Sequence, residues 1–256
     1  MCRLAAYLGQ PLSLKAFLPE PEHSLYLPSW QPQELTYAKL NADGFGFGWY
    51  LDDGRPAVYR NPAPIWADAN LGGLAESLRR GLWLAMVRSA TPGYANGLHN
   101  TQPFHDESLL FLHNGFIENF RGDLRKALLA ALDDDIEAAV HGLTDSEYLF
   151  ALLRQMRRDH PGGGVGDALR RTVAWLGERV GERCAMLNMI VGDGGALYSV
   201  RCAFNETAPS LYWLCDGARR FIASERLTPA NGGWDAVPEN RLLVVARDGE
   251  PALSAL

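Results

Sequence analysis

A cysteine stands second in the chain, in the opening MCRLAAYLG, and that position gives its thiol an unusual chemical option. Initiator methionine is commonly trimmed before a small second residue, and removal of Met1 would make Cys2 the N-terminus. The new α-amino group, with an ordinary pKa of about 7.7–8.0, could then act as general base toward a thiol whose ordinary pKa is about 8.5. Nucleophile and base would share one residue. The competing reading is an incidental cysteine near a fraying terminus.

Three later segments carry groups that would complete such a site. In LAMVRSATPGYANGLHNTQPF (Leu84–Phe104) an apolar strand runs into Arg88, whose planar fork suits bidentate capture of a carboxylate. Thr91 is near enough in sequence to donate a further hydrogen bond to the same group; a structural ion pair at a strand end is the alternative for Arg88. In LLFLHNGFIENF (Leu109–Phe120) a second apolar strand ends in His-Asn-Gly. Asn-Gly is usually a turn, but the Asn114 amide and the Gly115 N–H at the end of a buried strand are also the two donors that a tetrahedral oxyanion requires. TDSE (Thr144–Glu147) reads as a capping box, with Thr144 as N-cap and Glu147 reaching back to it. That leaves the Asp145 carboxylate unengaged at a helix N-terminus, placed to bind an ammonium group.

The elements that must position these groups follow from periodicity. Pro and Gly punctuate the chain from Pro11 to Pro64, predicting strands and loops there more than long helices. Amphipathic helices are predicted over Phe120–Leu132, Thr144–Arg158 and Asp167–Val180, and strands over Ala185–Val191, Ala196–Cys202, Leu211–Cys215, Phe221–Ser224 and Arg241–Ala246. Gly192–Gly195 and Cys215–Arg220 read as hairpin turns. Strands, then helices, then strands again, without βαβ alternation, predict an α+β fold of antiparallel sheets with helices packed outside, as in a four-layer αββα sandwich.

Composition narrows the function classes. The 256 residues hold 30 acidic and 24 basic side chains, a net charge of −6, which argues against a nucleic-acid binder. Hydrophobic residues make up 47%, enough for a full core, yet the apolar runs fall short of the roughly 20 residues of a membrane span. With no secretory signal in the first residues, a cytoplasmic setting is expected. Cys184, Cys202 and Cys215 are expected to be buried small hydrophobes, and the six histidines lack ligand spacing, so neither metal nor organic cofactor is expected.

Together, Cys2, Arg88 with Thr91, Asn114 with Gly115, and Asp145 resemble, in order, the motifs of the class II glutamine amidotransferases, members of the N-terminal-nucleophile hydrolase superfamily. The resemblance implies the αββα fold, one amidotransferase domain over residues 2–256, and cleavage of a γ-glutamyl amide. It further implies that Cys2 attacks, Asn114 and Gly115 form the oxyanion hole, Arg88 and Thr91 hold the substrate α-carboxylate, and Asp145 binds its α-ammonium. NADGFGFGWY (Asn41–Tyr50), APIWAD (Ala63–Asp68), VRSATPG (Val87–Gly93), ASERL (Ala223–Leu227) and the C-terminal stretch from Gly232 look like the ergothioneine-pathway branch, hydrolases of γ-glutamyl hercynylcysteine sulfoxide. Ser89 departs from the large aromatic that follows the arginine in many glutaminases. A trimethylammonium on the leaving group would be suited by aromatics among Trp30, Tyr37, Phe45, Phe47, Trp49 and Trp66. The implied partner is a small γ-glutamyl substrate, with neither nucleic acid nor membrane; homo-oligomerisation stays open. Two rivals remain: a glutaminase subunit passing ammonia to a separate synthase, and a non-catalytic γ-glutamyl-binding protein that retains Met1.

Overall fold

A computed structural model describes residues 2–26, 40–90, 97–228 and 232–256. Its first strand, β1 (Arg3–Ser13), is buried through Gly9, which explains why the opening reads as an apolar run and not as an alternation. A strand covered on both faces has no polar side to show. The other strands are β2 (Phe45–Tyr50), β3 (Pro56–Asn61), β4 (Arg79–Val87), β5 (Phe104–His105), β6 (Leu110–Ile117), β7 (Ala185–Gly192), β8 (Ala196–Phe204), β9 (Tyr212–Asp216), β10 (Arg219–Ala223), β11 (Asp235–Ala236), β12 (Arg241–Ala246) and β13 (Ala252–Ala255). Helices are α1 (Leu14–Phe17), α2 (Leu71–Ser77), α3 (Asp123–Leu129), α4 (Asp134–Ala138), α5 (Asp145–Asp159) and α6 (Gly164–Val180).

Among the described residues the strands form two antiparallel sheets, ordered β11-β9-β10-β1-β4-β2-β3 and β13-β12-β8-β7-β6-β5. They face each other across a layer that includes Leu4, Leu8, Leu84, Met86, Leu112, Ile190 and Leu243. The outer face of the first sheet is covered by α1 and α2 around Phe17, Phe47 and Trp83. That of the second is covered by α3 to α6 around Phe111, Leu149, Leu152, Leu169 and Leu176. Each fully buried side chain of this size contributes about 1.5–3 kcal/mol by leaving water, so the three layers provide the main driving force for the fold. The four-layer αββα sandwich expected from the sequence is the observed architecture.

Local differences have physical causes. The segment expected as one helix over Phe120–Leu132 contains α3, and α4 restarts after it, where the Asp133 N–H is taken by Gln155 Oε1 at 2.8 Å. In α2 the sequence LGGLAES hides its helical character behind two glycines, but Leu71 and Ala75 still face the core. Cys202 is buried, whereas Cys184 is half-buried and Cys215 exposed, which corrects the expectation for those two. Cys215 sits beside the turn into β10, opposite Arg220.

Candidate active site

Odd and even positions of a strand face opposite sides, so the residues lining the inter-sheet layer fix the direction of those two places further on. On β1 that layer takes Leu4, Ala6 and Leu8, and Cys2 packs against it. On β4 it takes Leu82, Leu84 and Met86, after which the same alternation turns Arg88 inward. On β6 it takes Leu110 and Leu112, followed by Asn114. Arg3 stands opposite Val87, which sets Cys2 beside Arg88 across the β1-β4 ladder.

The two sheets are also matched in level. Gly46 stands opposite Met86, and a Cβ there would lie 2.2 Å from the Gln102 carbonyl oxygen, so only glycine permits the approach. The Gln102 side chain behaves as a one-residue strand beside β6, accepting from the His113 N–H at 2.6 Å and donating to the His113 carbonyl at 3.0 Å. Met86 and His113 therefore share a level, and Arg88 and Asn114 follow toward the same end of the sandwich.

At that end the Cys2 thiol donates to the Ser89 carbonyl at 3.7 Å. Arg88 is buried; its Nη1 donates to the Asp43 carbonyl at 3.2 Å and its N–H to the Gly44 carbonyl at 2.8 Å. Asp43 closes the clasp by accepting from the Ala90 N–H at 2.7 Å. The segment before β2 is thereby fastened to the arginine. Thr91, Trp30, Tyr37 and Met1 lie outside the described residues.

Asn114 is fully buried, and among the described residues neither its Nδ2 nor its Oδ1 has a partner. A buried amide without partners loses about 1–3 kcal/mol for each unsatisfied group, a cost a ligand oxygen would relieve. Its neighbour across the ladder, Asn188, donates from Nδ2 to the Pro209 and Ser210 carbonyls at 3.1 and 2.9 Å, leaving its own Oδ1 unpartnered. Along β6 the main-chain groups of His113 and Ile117 turn away from β7, toward Gln102 and Asp145. Gly115 lies between them and must turn its N–H to the same edge, which β5 pairs only at Leu110 and Phe111. A side chain is excluded at Gly115, since a Cβ would stand 1.8 Å from the Met186 carbonyl oxygen.

The helix side of β6 is built differently. Asp145 Oδ2 accepts from the Ile117 N–H at 2.8 Å and Oδ1 from the Ser146 N–H at 2.8 Å, so its carboxylate is engaged and not open as the sequence suggested. Thr144 caps α5 through the Glu147 N–H at 3.4 Å, but Glu147 does not reach back to Thr144. Its oxygens accept instead from the His141 and Gly142 N–H groups at 2.9 and 2.6 Å, because the loop before Thr144 folds over the helix start. His113 contacts the Met186 carbonyl through Nε2 at 3.0 Å and Ser146 Oγ through Nδ1 at 2.8 Å. A carbonyl can only accept, so Nε2 carries the proton and Nδ1 accepts from the hydroxyl. Burial pushes the imidazole below the ordinary histidine value, with the Asp145 charge offsetting part of the shift. Both nitrogens are occupied, which makes His113 a support for the strand.

Of the aromatics considered for the leaving group, Phe45, Phe47, Trp49 and Trp66 pack under the helices of the first sheet, away from the inter-sheet space. Sequence reasoning passed over Asp43, Gln102 and Asn188. Asp43 and Gln102 lie in loops without periodicity, and a buried Asn188 in β7 is marked only by its interruption of the apolar run AMLNMIVG. No group of three or more His, Cys, Asp or Glu side chains that could hold a metal occurs among the described residues.

Comparison with known proteins gives the family. A sequence model of the family described as glutamine amidotransferases class-II matches residues 20–208. The chain is 32% identical to a Mycolicibacterium smegmatis protein named gamma-glutamyl-hercynylcysteine sulfoxide hydrolase, with 100% of both chains covered. It is 30% identical to the probable glutamine amidotransferase DUG3 of Saccharomyces cerevisiae, over 96% of this chain and 82% of that one. A solved structure of a glutamine aminotransferase class-II domain protein from Silicibacter pomeroyi superposes with a TM-score of 0.69 at 26% identity, covering 99% of each chain. With its αββα sandwich and matched inter-sheet end, the chain belongs to the class II glutamine amidotransferases.

Proposed function

We propose that the protein hydrolyses a γ-glutamyl amide through a thioester on Cys2, with Met1 removed and residues 2–256 acting as one domain in the cytoplasm. The substrate we assign is γ-glutamyl hercynylcysteine sulfoxide, the compound in the names of the relatives from Mycolicibacterium smegmatis and Mycobacterium tuberculosis. The observation that carries the reading is the placement of Cys2 at the same inter-sheet end as a buried asparagine amide that has no partner among the described residues.

In this mechanism the α-amine of Cys2 takes the thiol proton as sulfur attacks the γ-carbonyl carbon. Negative charge develops on the carbonyl oxygen between Asn114 Nδ2 and the Gly115 N–H, donors already fixed by the strand, so little reorganisation is needed. Collapse breaks the C–N bond, and the leaving amine departs with the proton held by the α-ammonium. Water, deprotonated by the same amine, then cleaves the γ-glutamyl thioester and releases glutamate. Arg88, with Thr91, holds the substrate α-carboxylate, and Asp145 its α-ammonium through the lone pairs the main chain leaves available.

A second reading is a glutaminase that passes ammonia to a separate synthase, favoured by the name of the yeast relative. Mass spectrometry of products after incubation with γ-glutamyl hercynylcysteine sulfoxide and, separately, with glutamine tests both. Glutamate plus hercynylcysteine sulfoxide, with slow turnover of glutamine, is the expected result. Efficient release of ammonia from glutamine, with the larger amide left intact, would favour the second.

A further inference from the structure

The ASERL segment after β10 enters none of the steps above, yet it is fastened to the first residues of β1. The Ser224 N–H donates to the Leu4 carbonyl at 3.0 Å, and Leu4 N–H donates to Ser224 Oγ at 3.1 Å. The next residue, Glu225, accepts from Arg3 Nε in an ion pair whose side chains are 2% and 7% exposed. Arg3 in turn donates from Nη1 to the carbonyl of Cys2 at 2.9 Å.

A buried guanidinium and carboxylate are costly to desolvate, and an apolar pair of similar volume commonly serves a fold as well. A buried pair that ends on the carbonyl of residue 2 is placed to do more than hold the fold. Terminal residues fray unless tied down, and a trimmed Cys2 keeps a single peptide bond to hold it. We infer that Arg3 and Glu225 are a positioning pair for the N-terminal nucleophile. Glu225 fixes the Arg3 guanidinium, which clamps the Cys2 carbonyl and thereby sets the direction in which the amine and thiol of Cys2 face the site. The inference rests on reading Cys2 as the nucleophile.

The pair also leaves a charge signature. Amine and carbonyl oxygen of one residue are roughly 3 Å apart, so the Arg3 cation lies within about 6 Å of the amine. Other charged groups among the described residues at this end are Arg88 at the end of β4, Asp43 before β2, Arg226 over the Tyr212 ring, and Arg201 on β8, which is paired with Glu239 at 3.5 Å and held by the Pro209, Val237 and Ala208 carbonyls. None of these changes when Glu225 does. In the intact pair the Glu225 carboxylate on Nε offsets part of the Arg3 charge felt at Cys2. Removing the carboxylate leaves a cation, because arginine does not deprotonate, and a nearby cation stabilises a thiolate.

The test is the pH dependence of Cys2 alkylation by iodoacetamide, read on the N-terminal peptide by mass spectrometry, together with steady-state kinetics. Glu225→Gln is expected to lower the apparent thiol pKa by about one unit. Adding Arg3→Met to it should move the alkylation profile back toward wild type while kcat stays at least about tenfold below wild type and KM stays within about twofold. A folded Glu225→Gln protein whose profile superimposes on wild type, or a double variant with wild-type kcat, overturns the inference. If the single variant fails to fold, the double variant, which buries no uncompensated charge, decides through kcat. Failure of the underlying reading looks different: Cys2→Ala would then retain cleavage, whatever the pair does.

Discussion

On β6, His113 and Asn114 are adjacent residues that face opposite sides of one sheet, and their polar atoms meet opposite conditions. Toward the helices, His113, Ser146 and Glu147 form a buried set in which each side chain has a defined donor or acceptor. Toward the facing sheet, both polar atoms of Asn114 and Oδ1 of Asn188 are buried without one. The first arrangement supports the strand, whereas the second leaves polar atoms that, among the described residues, have no partner. In the proposed mechanism one strand thus separates support from chemistry by a single residue, with Gly115 at the boundary where no side chain fits.

Changes on the chemical side should break activity and leave the fold intact, and those on the support side should do the reverse. The largest effect is expected for Cys2→Ala, which should abolish turnover of the γ-glutamyl substrate with an unchanged melting temperature. Asn114→Ala should lower kcat by roughly 10²–10³, about 2.7–4 kcal/mol of transition-state stabilisation, measured by steady-state kinetics at saturating substrate. A comparable loss of stability in place of rate would erase the distinction between the two faces.

Across the sheet, the prediction concerns pH. Because the His113 imidazole titrates below its ordinary value in the folded protein, the unfolded chain binds more protons than the folded one below about pH 6.5. Stability is therefore fully present above that pH and falls as the solution is acidified, by at most about 1.4 kcal/mol per pH unit from this group. Denaturant titrations from pH 7 to 5 should show the slope, and His113→Gln should flatten it. The smallest effect is expected at the α5 cap, where the Thr144 hydroxyl accepts at 3.4 Å: Thr144→Ala should cost about 0.5–1 kcal/mol in the same assay without altering kcat.

Much of this division was legible in the sequence where a local rule applied. Strand patterning located β7, β8 and β12, and the hairpin turns at Gly192–Gly195 and Cys215–Arg220 were marked by glycine; the apolar run also marked β6, but that strand does not end at His113-Asn114-Gly115 as expected and continues, paired with β7, to Ile117. The Thr144 cap was also readable, because capping is decided within four residues. What was not readable depends on distant partners. Glu147 pairs with the loop at His141 and Gly142 instead of completing the box, Asp145 is engaged by Ile117 on another element, and Gln102 acts as a surrogate strand. The helices α1 and α2 were missed because four and seven residues are too short to show a period. The residue types of the site could be named from motif chemistry, but which of them share a face required the pairing of β1 with β4 and the stacking of the two sheets.

The central claim is that Cys2, carrying its own α-amine, is the attacking residue. Peptide-resolved mass spectrometry after incubation with a diazoketone analogue of glutamine tests it most directly. The account predicts a chain lacking Met1 with one covalent adduct, on the sulfur of Cys2. A protein that retains Met1, leaves Cys2 unmodified and still cleaves a γ-glutamyl amide would contradict it.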